Sequence, residues 1–296
     1  MSEIPVRYQS ADEDSQRWAG FPFRAGDIVI STRSKSGTTW AQMICALLIF
    51  QRTELPARLA DLSPWLDFLV TPKNDVYEQL AAQTHRRFIK THTPLDGVPA
   101  DDRVTYIVVA RHPLDMAVSL YHQSANIDRE RMRLLTGQPM PTSASTARPP
   151  LHDWLLEWIR ADRDPRESLD SLQGVIWHVA DAWRRRDRPN VLLLHYGDLA
   201  ADLGGQMRQI SHRLGIDVPD DRWHELVQAA TFESMRERSQ QLIPGAAGIL
   251  KNPAAFFRRG SPGAGREVLS DAEFAEYQDR VAALGPADLV AWLHRS

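Results

Sequence analysis

The segment Asp27 to Trp40, DIVISTRSKSGTTW, constrains the fold more than any other part of this 296-residue chain. DIVIST joins apolar and β-branched residues in a run short enough for a buried strand. Lys35, Ser36, Gly37, Thr38 and Thr39 follow as a small polar loop carrying a cation. Behind it Trp40, Met43, Ile44, Leu47 and Leu48 recur at helical spacing. A strand, a Gly-containing turn and a helix start make an anion site, because the first helical N–H groups lack intrahelical partners. The macrodipole adds to the preference for negative charge. The segment reads as a phosphate cradle. It is not a Walker A loop, which needs GxxxxGK followed by Ser or Thr; here Lys35 precedes the only Gly, Gly37. Taken alone, SGTT would better suit a turn that merely caps a core helix.

Two further segments remove that ambiguity. RFIKTHTP (Arg87 to Pro94) reads as a strand ending in Lys90, Thr91 and His92, stopped by Pro94. VTYIVVARHPLDMAVS (Val104 to Ser119) reads as a buried strand ending at Arg111, then a helix with Pro113 at its first position. Asp115 in that first turn suits the helix dipole, and Ser119 lies about two turns in. Strands that each deliver polar residues at their carboxyl ends predict a parallel sheet with its site along that edge.

These segments, in this order and spacing, resemble the cytosolic sulfotransferase family. KSGTTW is similar to that family's loop for the 5′-phosphosulfate of 3′-phosphoadenosine 5′-phosphosulfate (PAPS), and KTHTP to its Lys-x-His segment. Arg111 and Ser119 keep the spacing of its 3′-phosphate site. VLLLHYGDL (Val191 to Leu199), ATFESM (Ala230 to Met235) and FFRRGSPG (Phe256 to Gly263) extend the resemblance over nearly the whole chain. It is closest in style to mycobacterial and other actinobacterial members, including glycolipid sulfotransferases. The fold so implied is a single α/β domain, 1–296, with a central parallel sheet flanked by helices and a P-loop-like cradle. Its core runs from about 27 to 265, with a flexible insertion at 128–150 and a helical tail at 270–296.

Several positions depart from the family pattern. Arg33 and Ser34 stand where Tyr-Pro is usual, which would add a cation at the mouth. Gly197 replaces a Glu, Ala230 a Thr and Gly265 a Trp. REVLSD (Arg266 to Asp271) replaces the K-x-x-x-T-V dimer motif, which leaves a homodimer without its usual contact.

Composition narrows the partners. A net charge of −3 argues against general binding to nucleic acid, so an anionic nucleotide would depend on local cations. The one cysteine, Cys45, lies in the apolar helix after the cradle and reads as a core thiol. The first residues carry no apolar leader, and Met43 to Phe50 is far shorter than the ~20 residues of a membrane span. A cytoplasmic protein without integral membrane association is expected. His and Cys spacing suggests no metal set.

The resemblance implies a reaction: a sulfuryl group moves in line from PAPS to a hydroxyl, leaving adenosine 3′,5′-bisphosphate. Lys35 would neutralise the departing phosphate oxygen, Lys90 hold the sulfuryl oxygens and His92 take the hydroxyl proton. Ser36, Gly37, Thr38 and Thr39 would cradle the 5′ group. Arg111, Ser119, Arg258, Arg259 and Gly260 would hold the 3′-phosphate. Trp40 and Phe232 would sandwich adenine, with Tyr196 at its polar edge. The acceptor, a small lipophilic molecule with a hydroxyl, would lie against Trp65, Leu66, Phe68, Leu69 and the loop Ile243 to Leu250, although Trp65 and Phe68 equally suit core filling. A P-loop kinase or NTPase would share the sheet and cradle but not the Lys spacing. A catalytically silent nucleotide binder would have no need of both Lys35 and His92.

Overall fold

The computed structural model describes residues 4–139, 148–242, 248–258 and 263–295. Four parallel strands form its sheet: β1 (Ile28–Ser31), β2 (Phe88–Thr91), β3 (Thr105–Ala110) and β4 (Val191–His195), in the order β2-β1-β3-β4. Both faces are covered, which is why the strands are apolar without alternation. Ile28, Ile30, Ile107, Val109, Leu192 and Leu194 pack on one side with helix α1 (Thr38–Phe50). Val29, Val108 and Ile89 pack on the other, against Trp18, Leu66 and Leu80. Successive side chains of a strand point to opposite faces, and here each face has its own core.

Register places the site. Ser31 lies opposite Thr91, so the next residues, Thr32 and His92, leave the sheet side by side. Ala110 lies opposite His195, which sets Arg111 beside Tyr196. The chain leaves β1 toward β2 on one side and returns to β3 on the other. The crevice between β1 and β3 is therefore the switch point where ligands of such sheets bind.

Beyond β2 the sheet is extended by single pairings. Leu66 N–H donates to the Lys90 carbonyl (3.2 Å), and Leu69 N–H to the Asp12 carbonyl (2.8 Å). Glu13 bridges Phe68. This brings the N-terminal segment to the same edge as His92.

One region differs from expectation. Within 128–150, Arg129–Thr136 is a helix rather than irregular chain. Asp128 caps it by accepting from Arg131 N–H, Gly137 ends it at φ 68°, and Met132 is its buried residue. Pro, Ser and Thr further along hid this short capped unit, and 140–147 lie outside the described residues. At the C-terminus the tail is helical, Asp271–Leu284 and Ala287–Leu293, and its Tyr277, Val281, Leu289 and Leu293 are buried in the core.

Candidate active site

The loop from Thr32 to Gly37 turns sharply into α1. Gly37 adopts φ 112°, and a Cβ there would come within 3.2 Å of the Tyr196 ring and 3.3 Å of Val109. Only glycine meets both demands without displacement. The Thr32 and Thr38 hydroxyls bond across the loop and close it. The first helical bond runs from Ala41 N–H to the Gly37 carbonyl (2.9 Å), so the amides of Thr38, Thr39 and Trp40 precede the helical ladder. The cradle geometry is that of a helix-terminal anion site.

Lys35 sits at φ 67°, a left-handed conformation that costs a non-glycine residue about 1–2 kcal/mol. Its Nζ donates to the Phe256 carbonyl (3.2 Å) and lies 3.5 Å from the Phe256 ring centroid. Burial, then the charges of Arg111, Lys90 and Arg258, lower its pKa to about 7. The Arg111 guanidinium stacks 4.4 Å over Tyr196 and reaches the Lys35 carbonyl (3.4 Å). Trp40 donates from Nε1 to the Ala230 carbonyl (2.8 Å) and meets Tyr196 edge-on at 5.1 Å. Ala230 thus contributes its backbone, which needs no Thr side chain.

At the other end His92 is buried, with Nδ1 donating to the Thr32 carbonyl. That bond leaves the lone pair on Nε2. Burial, Lys90 and Arg33 hold the imidazole pKa well below its usual value, so the ring is neutral. Trp65 meets His92 edge-on (4.5 Å, 74°) and stacks flat on Phe68 (4.0 Å, 7°). The Lys90 Nζ lies 3.7 Å over the Trp65 ring, and burial lowers its pKa to about 8.

A single cavity is lined by Lys35, Gly37, Thr38, Thr39, Trp40, Lys90, His92, Arg111, Ser119, Tyr196, Phe232 and Arg258. Ser36 is buried and does not line it. Arg259 and Gly260 lie outside the described residues. Of the expected acceptor wall, Trp65, Phe68, Ile249 and Leu250 line the cavity, whereas Leu66 is fully buried core and Leu69 does not reach it. Residues 243–247 lie outside the described residues. Among the described residues no group of His, Cys, Asp or Glu is gathered as for a metal ion.

Arg33 is not a cation at the mouth. Its side chain is buried and bonds the His92 carbonyl (2.8 Å) and Asp170 (2.6 Å). Sequence reasoning also missed Asp67, a buried carboxylate that accepts from the Thr91 hydroxyl, the Thr93 hydroxyl (2.6 Å) and Trp18 Nε1 (3.3 Å). It holds His92 from both sides. The Thr91 and Thr93 hydroxyls flanking His92 were the signal that a buried acceptor must exist. Asp115, read as a dipole partner, also accepts from the amides of Gly263 (2.9 Å) and Gly265 (3.1 Å). Gly265 is there because a Cβ would lie 2.3 Å from that of Leu114.

Comparison with known proteins places this geometry. A sulfotransferase domain family matches residues 25–283. A glycolipid sulfotransferase of Mycobacterium bovis is 40% identical, covering 98% of this chain and 94% of its own. Sulfotransferase 1A1 of Bos taurus is 29% identical over 80% of this chain and 76% of its own. Among solved structures, retinol dehydratase in complex with retinol and PAP is 22% identical with TM-score 0.69, covering 91% of this chain and 83% of that one. A mouse sulfotransferase complexed with PAP is 19% identical with TM-score 0.67, covering 94% and 91%. Both share the fold.

Proposed function

This chain belongs to the sulfotransferase family, and from that premise we propose that its cavity takes PAPS at the Lys35 end and a lipophilic hydroxyl acceptor at the His92 end. The acceptor oxygen attacks sulfur, the bond to the 5′-phosphate oxygen breaks, and the acceptor proton passes to His92 Nε2. The products are a sulfate ester and adenosine 3′,5′-bisphosphate. As in phosphoryl transfer, catalysis rests on positioning and charge stabilisation. Lys35 faces the departing phosphate oxygen and Lys90 the sulfuryl oxygens. The α1 amides with Thr38 and Thr39 cradle the 5′ group, and Arg111, Ser119 and Arg258 take the 3′-phosphate, joined by Arg259 and Gly260. Trp40 and Phe232 flank adenine, beside Tyr196.

The observation that carries the reading is the fixed tautomer of His92. A neutral imidazole with Nδ1 engaged by Thr32 is a ready proton acceptor, in the same cavity as a half-buried lysine beside an anion cradle. The apolar wall around Trp65, Phe68, Ile249 and Leu250 supports a lipophilic acceptor, as does the relative described as a glycolipid sulfotransferase. We infer a cytoplasmic setting, in which Cys45 stays a reduced core thiol. Transfer of labelled sulfate from PAPS to a glycolipid tests the proposal. His92→Ala should lose about 10²–10⁴-fold in kcat. In calorimetry both proteins should bind adenosine 3′,5′-bisphosphate far better than AMP. Near-normal turnover by His92→Ala, or equal affinity for AMP, would refute the assignment.

A further inference from the structure

Three carboxylates line the acceptor end of the cavity: Asp12, Glu13 and Asp170. Two are already engaged. Asp170 holds Arg33, and Asp12 is hydrogen-bonded by the Gln138 side chain. Glu13 has no side-chain hydrogen bond or ion pair among the described residues, while its backbone N–H is bonded to the Ser10 hydroxyl (3.2 Å) and its carbonyl accepts from Ser10 N–H (2.9 Å). The bridge to Phe68 fixes its place at the sheet edge, on the wall that also carries Trp65 and Lys90.

Burial raises the Glu13 pKa to about 8, against the pull of Arg33 and Lys90, with Asp67 and Asp170 adding to the rise. Near neutral pH the carboxyl is therefore largely protonated, able both to donate to and to accept from a hydroxyl placed in the cavity. An acceptor made only of hydrocarbon and one hydroxyl would spend that hydroxyl on His92 and cover Glu13 without a partner. Covering an unpaired polar group is penalised. An ammonium acceptor would satisfy Glu13 but would enter a cavity that already carries Lys35, Lys90, Arg111 and Arg258. A second hydroxyl beside the reacting one satisfies it without that repulsion.

We propose that Glu13 is a specificity residue that hydrogen-bonds a second hydroxyl of the acceptor, so that the site selects polyhydroxylated head groups on apolar tails over simple alcohols and phenols. This rests on the reading above of which cavity end receives the acceptor. The test compares octyl glucoside, octanol and octylamine as acceptors at saturating PAPS, for the wild type, Glu13→Ala and Glu13→Gln. Wild type should favour the glucoside over octanol in kcat/KM, and Glu13→Ala should cut that ratio by at least about tenfold, chiefly through KM for the glucoside. Glu13→Gln should retain most of the ratio, because an amide still bonds hydroxyls. Glu13→Ser replaces the alanine variant if that one does not fold, and retained affinity for adenosine 3′,5′-bisphosphate certifies each variant. An unchanged ratio in Glu13→Ala overturns the inference while leaving the sulfotransfer reading intact. So does a preference for octylamine that both Gln and Ala abolish. Failure of the wild type to sulfate any of the three would instead remove the acceptor reading itself, and this inference with it.

Discussion

Residue by residue, the cavity depends on cations partly withdrawn from water. Lys35 has a pKa near 7 because burial and three neighbouring cations disfavour its ammonium form. Anions in the cradle would reverse that preference, so the complex holds a proton that the free protein loses above about pH 7. Affinity for adenosine 3′,5′-bisphosphate should therefore fall as pH rises past 7. Calorimetry near pH 8 in buffers of different ionisation heat should show uptake of about one proton per nucleotide, absent in Lys35→Met. No uptake in the wild type would contradict the role. Without nucleotide the sign is opposite for stability: between about 7 and the ordinary 10.5 the unfolded chain binds more protons, so this group's contribution rises with pH. That Lys35, Lys90, His92 and Arg111 share one cavity could be read from sequence because each lies at, or a few residues beyond, the carboxyl end of a strand. Asp67 could not, since its Thr91 contact lies 24 residues away and passes through no local pattern.

Among the elements, the Pro113–Asn126 helix does more than its sequence suggests. Pro113 and Ser119 stand where spacing predicts. Through Asp115, however, the helix also grips the backbone at Gly263 and Gly265, just beyond the basic loop. Asp115→Ala should weaken adenosine 3′,5′-bisphosphate binding by about tenfold, close to the worth of one charge-assisted bond, with Asp115→Asn in between. Equal affinity in Asp115→Ala would show that the loop is held elsewhere. The Gly263 and Gly265 contacts were invisible in sequence because they join residues about 150 apart. The Arg129–Thr136 helix was missed for the opposite reason. Its signals, Asp128 and Gly137, are local but were outweighed by the composition of the residues that follow.

For the molecule as a whole, function and stability occupy opposite ends of the sheet. At the amino ends of β1 and β2, Arg87 and Asp27 form a buried bidentate pair, and Arg87 also donates to the Pro22 carbonyl (2.9 Å). Arg87→Ala would leave the buried Asp27 carboxylate without its cationic partner, a loss of about 3–5 kcal/mol by denaturant titration. KM for PAPS should not change in the fraction that stays folded; a large change would mean the two ends are coupled. The parallel sense followed from apolar runs that each end in polar residues, whereas the strand order and the polar residues that brace the sheet did not. The cavity's lining runs from Asp12 to Ala264. On the ribosome, where chains fold from the N-terminus onward, all four strands, Lys35 and His92 have emerged once His195 is free. Phe232, Leu250, Phe256 and Arg258 have yet to be made. A nascent chain thus holds its reactive groups in an open groove, and only the final stretch of translation closes a vessel around them.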